Sequence, residues 1–132
     1  MQTMRYINLL DRASHVRTHK CFLYNNNIIF AVPKHVLSRA IGPDAMHVRA
    51  LHEQLGKRVR IIAEPESIQN AERFISDIVA PVKFKSLELK DNVFVLAAGS
   101  QSKAALIGRN RRREAELQKI LYGAFGFDLK IV

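Results

Sequence analysis

The sequence predicts an α+β protein in which one unit, helix–strand–strand–helix–helix–strand, occurs twice. Three observations carry that expectation. The dipeptide Ile41-Gly42 returns as Ile107-Gly108 at an offset of 66, half of the 132 residues. Apolar patterning runs in the same order through both halves, although identity between them is slight. Finally, 48% of the residues are apolar while the net charge is +9, the composition of a folded, strongly basic protein.

In the first half, Ile7 and Leu10 mark an N-terminal helix. Residues 20–24 and 28–32 are rich in β-branched and aromatic side chains, and Asn25, Asn26 and Asn27 between them tolerate left-handed turn geometry, so the pair reads as a hairpin. Pro33 has no amide hydrogen for a ladder and ends the second strand. Val36, Leu37 and Ala40 stand at helical spacing, as do Val48, Leu51 and Leu55, whose helix Gly56 stops. Residues 59–63 close the unit as a strand.

In the second half, Ile68, Ala71, Ile75 and Ile78 form one helical face closed by Ala80 and Pro81. Residues 82–90, a turn at Asp91 and Asn92, and residues 93–98 make the next hairpin. Its period-two phase shifts near Ser86, which predicts a bulge there. Residues 102–106 read as a short helix, and Leu117, Ile120, Leu121 and Ala124 as a longer one. Phe127, Leu129 and Ile131 then alternate with Asp128 and Lys130 in a last strand. No linker rich in Gly, Ser or Pro separates the halves, so the domains are expected at 1–66 and 67–132.

The charge balance, 21 Lys and Arg against 12 Asp and Glu, points to a polyanionic partner. The longest apolar runs, 28–32 and 93–98, fall far short of the roughly 20 residues needed to cross a bilayer. Asp11 and Arg12 interrupt the N-terminal segment before a signal-type core can form, so no membrane association and cytoplasmic residence are expected. Cys21, the single cysteine, can form neither an internal disulfide nor a paired-cysteine zinc site, and reads as a small apolar strand residue.

The segments 40–48, 55–59, 79–83 and 106–111, in that element order, resemble type II KH domains in tandem, and more closely the archaeal NusA-like transcription factors made only of two such modules. The resemblance covers nearly the whole chain. It implies two three-stranded mixed sheets, each covered on one face by helices, and binding of single-stranded RNA on nascent transcripts. In that family a GxxG loop joins two helices, its glycines let the nucleic-acid backbone approach, and neighbouring basic groups meet phosphates beside an apolar groove.

Both copies lack the second glycine. In Gly42-Pro43-Asp44-Ala45, proline removes an amide donor, and Asp44 reads as a helix N-cap rather than a phosphate contact. In Gly108-Arg109-Asn110-Arg111 an arginine stands at the second glycine position. Lys103, Arg109, Arg111, Arg112 and Arg113 nevertheless place five positive charges within eleven residues, with no acid among them. Positive charge opposes the macrodipole at a helix start by ~0.3–1 kcal/mol per group, so the cluster points to phosphate rather than to helix stability. The second module is therefore expected to make the stronger contacts. The expected RNA-binding residues are Gly42, His47, Lys103, Ile107, Gly108, Arg109, Asn110, Arg111, Arg112 and Arg113, with His47 stacking on a base and Ile41, Val48 and Ile107 lining apolar grooves.

Other chemistry finds little support. The pairs His15/His19 and His47/His52 have no ligand cluster nearby in sequence, so no metal is expected. The glycines match neither the dinucleotide fingerprint nor the phosphate-binding P-loop, and no nucleophile elbow is present, so neither cofactor nor catalysis is expected. Phe22, Tyr24, Phe30, Phe84, Phe94 and Phe127 read as strand core. The expectation is a monomeric, cytoplasmic, non-enzymatic RNA-binding factor for transcription termination or antitermination, with RNA polymerase as a second partner. The competing expectation is a scaffold of degenerate modules docking on RNA polymerase or a ribosomal particle.

Overall fold

The computed structural model describes residues 2–132, and the chain divides into two compact units, Met1–Glu64 and Pro65–Val132. In the first, α1 (Gln2–Ser14) leads into β1 (Lys20–Tyr24) and β2 (Asn27–Val32). A 3-10 turn at Lys34–Val36 precedes α2 (Leu37–Ile41), another at Pro43–Ala45 precedes α3 (Met46–Leu55), and β3 (Val59–Ala63) closes the unit.

Local chemistry sets most of these boundaries. The Ser14 hydroxyl donates to the Leu10 carbonyl at 2.8 Å and accepts from the Val16 amide at 3.2 Å, turning the chain out of α1. Buried Thr18 donates to the Ala31 carbonyl at 2.5 Å and accepts from the Lys20 amide at 3.1 Å, which pins the start of β1 to β2. The hairpin turn needs two left-handed residues, and Asn25 and Asn26 supply them at φ 50° and 65°. Asn27 belongs to β2 rather than to the turn. Gly56, at φ 68°, ends α3 as expected, its amide donating to the His52 carbonyl at 2.9 Å.

The sheet order is β1-β2-β3, with β1 antiparallel to β2 and β2 parallel to β3. Parallel neighbours require a crossover, and α2 and α3 provide it. Tyr6, Ile7 and Leu10 of α1, Ala40 of α2 and Leu51 of α3 pack with Ile28, Phe30 and Val32 of β2 and with Val59 and Ile61 of β3 in one core. Burying each large apolar side chain there stabilises by ~1.5–3 kcal/mol.

The second unit repeats this plan. After a 3-10 turn at Ile68–Asn70, begun by Ser67 accepting from the Gln69 amide at 3.3 Å, come α4 (Ala71–Val79), β4 (Ser86–Lys90) and β5 (Val93–Ala97). Then follow α5 (Ser100–Ile107), a 3-10 turn at Arg109–Arg111, α6 (Arg112–Phe125) and β6 (Asp128–Ile131). The order β4-β5-β6 is again antiparallel then parallel. The two units are thus α+β with three-stranded mixed sheets, consistent with KH-like domains.

Hairpin register is shared: Lys20 faces Ala31 and Ser86 faces Ala97, with Asp91 and Asn92 at φ 50° and 63° in the second turn. The spacing of the repeat changes only late, because α6 has 14 residues where α3 has 10, so Gly126 ends α6 one turn later than Gly56 ends α3.

One expectation fails. Pairing runs regularly from Ser86 opposite Ala97 to Lys90 opposite Val93, so no bulge sits at Ser86. Val82 and Phe84 lie before the strand; the phase shift marks where pairing begins, not an extra residue within it. Among the expected core aromatics, Tyr24, Phe30 and Phe94 are buried, whereas Phe22, Phe84 and Phe127 are half-buried. The second unit adds Phe74, fully buried on α4, and Phe125, whose ring meets Phe74 and Phe94 edge-on at 6.1 and 5.5 Å. Among the described residues no helix is long and apolar enough to cross a membrane.

Candidate nucleic-acid interface

Each unit turns from its short helix into its long one through four residues of the same backbone shape. Gly42 has φ 81° and ψ 163°, and Gly108 has φ 75° and ψ 174°, a region open essentially to glycine alone. Two left-handed residues follow in each case: Asp44 and Ala45 at φ 53° and 57°, Asn110 and Arg111 at φ 57° and 59°. The hydrogen bonds match as well, with Ala45 donating to Gly42 at 3.0 Å and Arg111 donating to Gly108 at 3.2 Å. Asp and Asn tolerate this geometry, but Ala45 and Arg111 hold it against their Cβ atoms. They occupy the second glycine position of the GxxG pattern.

The glycines also have a packing role. A Cβ on Gly42 would lie 2.8 Å from His47 Nδ1, and one on Gly108 would lie 2.5 Å from Arg113 Cγ. The side chain five residues on thus fills the glycine's missing volume in both units. The sequence suggested that these glycines open room for a nucleic-acid backbone; on the Cβ side, that room holds protein.

His47 is correspondingly engaged. Its Nδ1 lies 3.0 Å from the Arg39 carbonyl and 3.2 Å from the Ala40 carbonyl, acceptors that assign the ring proton to Nδ1 and close the end of α2. The ring is therefore tied to the turn through Nδ1. His52 holds the other end of α3 through the Lys57 carbonyl at 2.8 Å. Among the described residues, no three His, Cys, Asp or Glu side chains gather to hold a metal. Cys21 is half-buried in β1, and burial pushes its thiol up to about 12, which leaves it protonated and unreactive near neutrality.

The Asp44 cap does not form. Asp44 is itself left-handed, Ala45 takes the N-cap position of α3, and no side chain caps that helix. A cap needs extended backbone so that its oxygen can reach back to the next amides, which the left-handed pair precludes.

The two turns differ in charge. The stretch 100–113 carries five basic residues and no acid, whereas the equivalent stretch 34–47 carries Lys34 and Arg39 against Asp44. Beyond Arg113, however, α6 supplies acids within reach. Arg111 Nε donates to Glu114 Oε1 at 2.8 Å, and Arg113 donates through one terminal nitrogen to Glu116 Oε1 at 2.8 Å. That hydrogen bond and the Glu114 charge hold the Arg111 guanidinium above its ordinary pKa. Arg113 is mostly covered, at 23% side-chain exposure, and Arg111 is open at 75%.

Of the five cations, Lys103, Arg109 and Arg112 have no carboxylate partner among the described residues. Arg109, Asn110, Arg111 and Arg112 are exposed together around the turn, Lys103 is half-exposed one helix earlier, and Ile107 and Gly108 are half-buried beneath them. Ile41 and Val48 are half-buried beside the first turn. Glu114 and Glu116 were not among the site residues expected from the sequence. Their spacing of three from Arg111 and Arg113 on a helix was the available signal.

Fold and turn together define a class: paired α+β units of KH-like arrangement, one bearing an arginine-rich helix–helix turn. Comparison with known proteins supports a distant NusA-like relationship. The chain is 28% identical, over 87% of its length and 87% of the relative's, to the probable transcription termination protein NusA of Halococcus morrhuae. Its fold is similar to the crystal structure of APE1850, with a TM-score of 0.67, 24% identity and coverage of 99% of this chain and 98% of that one. No protein-family model matches the sequence.

Proposed function

We propose that the chain binds single-stranded RNA as a tandem type II KH protein and serves as a NusA-like transcription termination or antitermination factor, without catalysis. The carrying observation is the exposed group of Arg109, Arg111 and Arg112 on a turn whose counterpart lacks a basic excess. Phosphates are the partner that this density of guanidinium groups fits, because each forms charge-assisted, bidentate hydrogen bonds and releases condensed counterions. The similarity to a protein named as a probable transcription termination factor supports the biological setting. RNA polymerase is the second partner in this reading, and the protein acts as a cytoplasmic monomer.

Titration of a single-stranded RNA oligonucleotide at several salt concentrations tests it. Arg109→Ala combined with Arg112→Ala should flatten the plot of log affinity against log salt by ~1.4, at ~0.7 per lost phosphate contact. An unchanged slope rejects the assignment. If a polymerase or ribosomal partner then stays bound after ribonuclease treatment, the docking-scaffold reading takes its place.

A further inference from the structure

The internal repeat provides its own control for the Arg111–Glu114 pair. At an offset of 66, Ala45 corresponds to Arg111 and Val48 to Glu114. The same left-handed turn and the same start of helix are therefore built once with an apolar pair and once with an ion pair. The charged version is the more demanding one, since Glu114 is only 7% exposed and must be desolvated. An alanine and a valine would suffice for the fold, as the first unit demonstrates.

The geometry of the pair shows what the charged version offers. Glu114 engages Arg111 at Nε, which leaves both terminal nitrogens of an exposed guanidinium open. Those nitrogens are the end-on fork that takes two oxygens of one phosphate. Arg113 is different: Glu116 takes a terminal nitrogen, and the stem packs over Gly108. One arginine is thus held with its fork free, while the other is spent on the turn.

We propose that Glu114 is a positioning residue that holds Arg111 as a preformed phosphate fork, with an arginine taking the place of the close backbone approach that a second glycine allows. The inference rests on the RNA-binding reading above and names a specific phosphate ligand within it. Ordering a long side chain before binding removes that entropic cost from the encounter. Glu114 lowers the net charge, yet it strengthens binding.

The sign of one substitution tests this. Glu114→Val makes the protein more basic, so unspecific electrostatics predicts tighter RNA binding. The positioning role predicts the reverse, about 2- to 10-fold weaker binding at fixed salt, the cost of ordering one side chain. A single-stranded oligouridylate is the probe, read by fluorescence anisotropy over a salt series, with the melting temperature of each variant measured alongside. Arg111→Lys keeps the charge and loses the fork; it should weaken binding similarly while leaving the melting temperature unchanged. The Arg111→Ala/Glu114→Val double variant copies the first unit's pair, should fold at least as stably as the parent, and should lose ~0.7 of salt slope. Equal or tighter binding by Glu114→Val, while Arg109→Ala/Arg112→Ala still flattens the slope, overturns the positioning role and leaves RNA binding intact. Loss of slope by neither the double arginine variant nor the copied pair removes the RNA-binding reading itself.

Discussion

The two helix–helix turns are the instructive comparison. Gly42-Pro43-Asp44-Ala45 and Gly108-Arg109-Asn110-Arg111 share only the glycine, yet follow one backbone path through a glycine-only conformation and two left-handed residues. Shape is therefore set by the glycine, by the side chain that packs over it and by the start of the next helix. The residues between are free to vary in charge, and they do: the first turn is punctuated by a proline and an aspartate, the second by two exposed arginines. One structural solution carries two electrostatic characters, and the second is the one suited to a polyanion.

The shared framework should fail in the same way in both units. Gly42→Ala and Gly108→Ala each place a Cβ in a forbidden backbone region and against the packing side chain, at 2.8 and 2.5 Å. Each should destabilise by about 2–3 kcal/mol in urea unfolding monitored by circular dichroism. A marked inequality between the two would break the equivalence of the turns.

A transplant sharpens the contrast in charge. Replacing Pro43, Asp44 and Ala45 by Arg, Asn and Arg gives the first unit the second unit's turn residues on a backbone already suited to them. The salt slope for single-stranded RNA should steepen by ~1.4, for two added phosphate contacts. If the slope stays fixed, arginine at this turn is insufficient for RNA contact.

The smallest expected effect concerns the missing second glycine. Ala45, at φ 57°, adopts a conformation that disfavours a Cβ and favours glycine. Ala45→Gly should raise unfolding stability by about 0.5–1 kcal/mol in the same urea experiment, after allowance for glycine's greater unfolded-state freedom. RNA affinity should not move, since the first turn contributes little to it in the proposed reading.

Much of the fold was legible because single residues encode it locally. The asparagines at 25 and 26 accept left-handed geometry, Gly56 terminates α3, and the alternation through Leu129 and Ile131 survives as a strand with one buried face. The false bulge at Ser86 shows the limit of pattern reading, since a change of phase looks the same whether a residue is inserted or a strand begins. Asp44 shows another limit: its side chain suits a cap, but the backbone at that point is left-handed and points the oxygen elsewhere.

From the amino acids alone came the element order, the repeat, the two turns and the concentration of arginine in the second of them. These follow from short-range preferences and from charge, both written residue by residue. The folded structure decided which of those arginines are bound to carboxylates and which are open, and it converted His47 and Arg113 into the side chains that fill the volume beside a glycine. Such partnerships depend on how two left-handed residues fold a helix start back over the turn before it. That is a geometric outcome, settled only when the whole turn has closed.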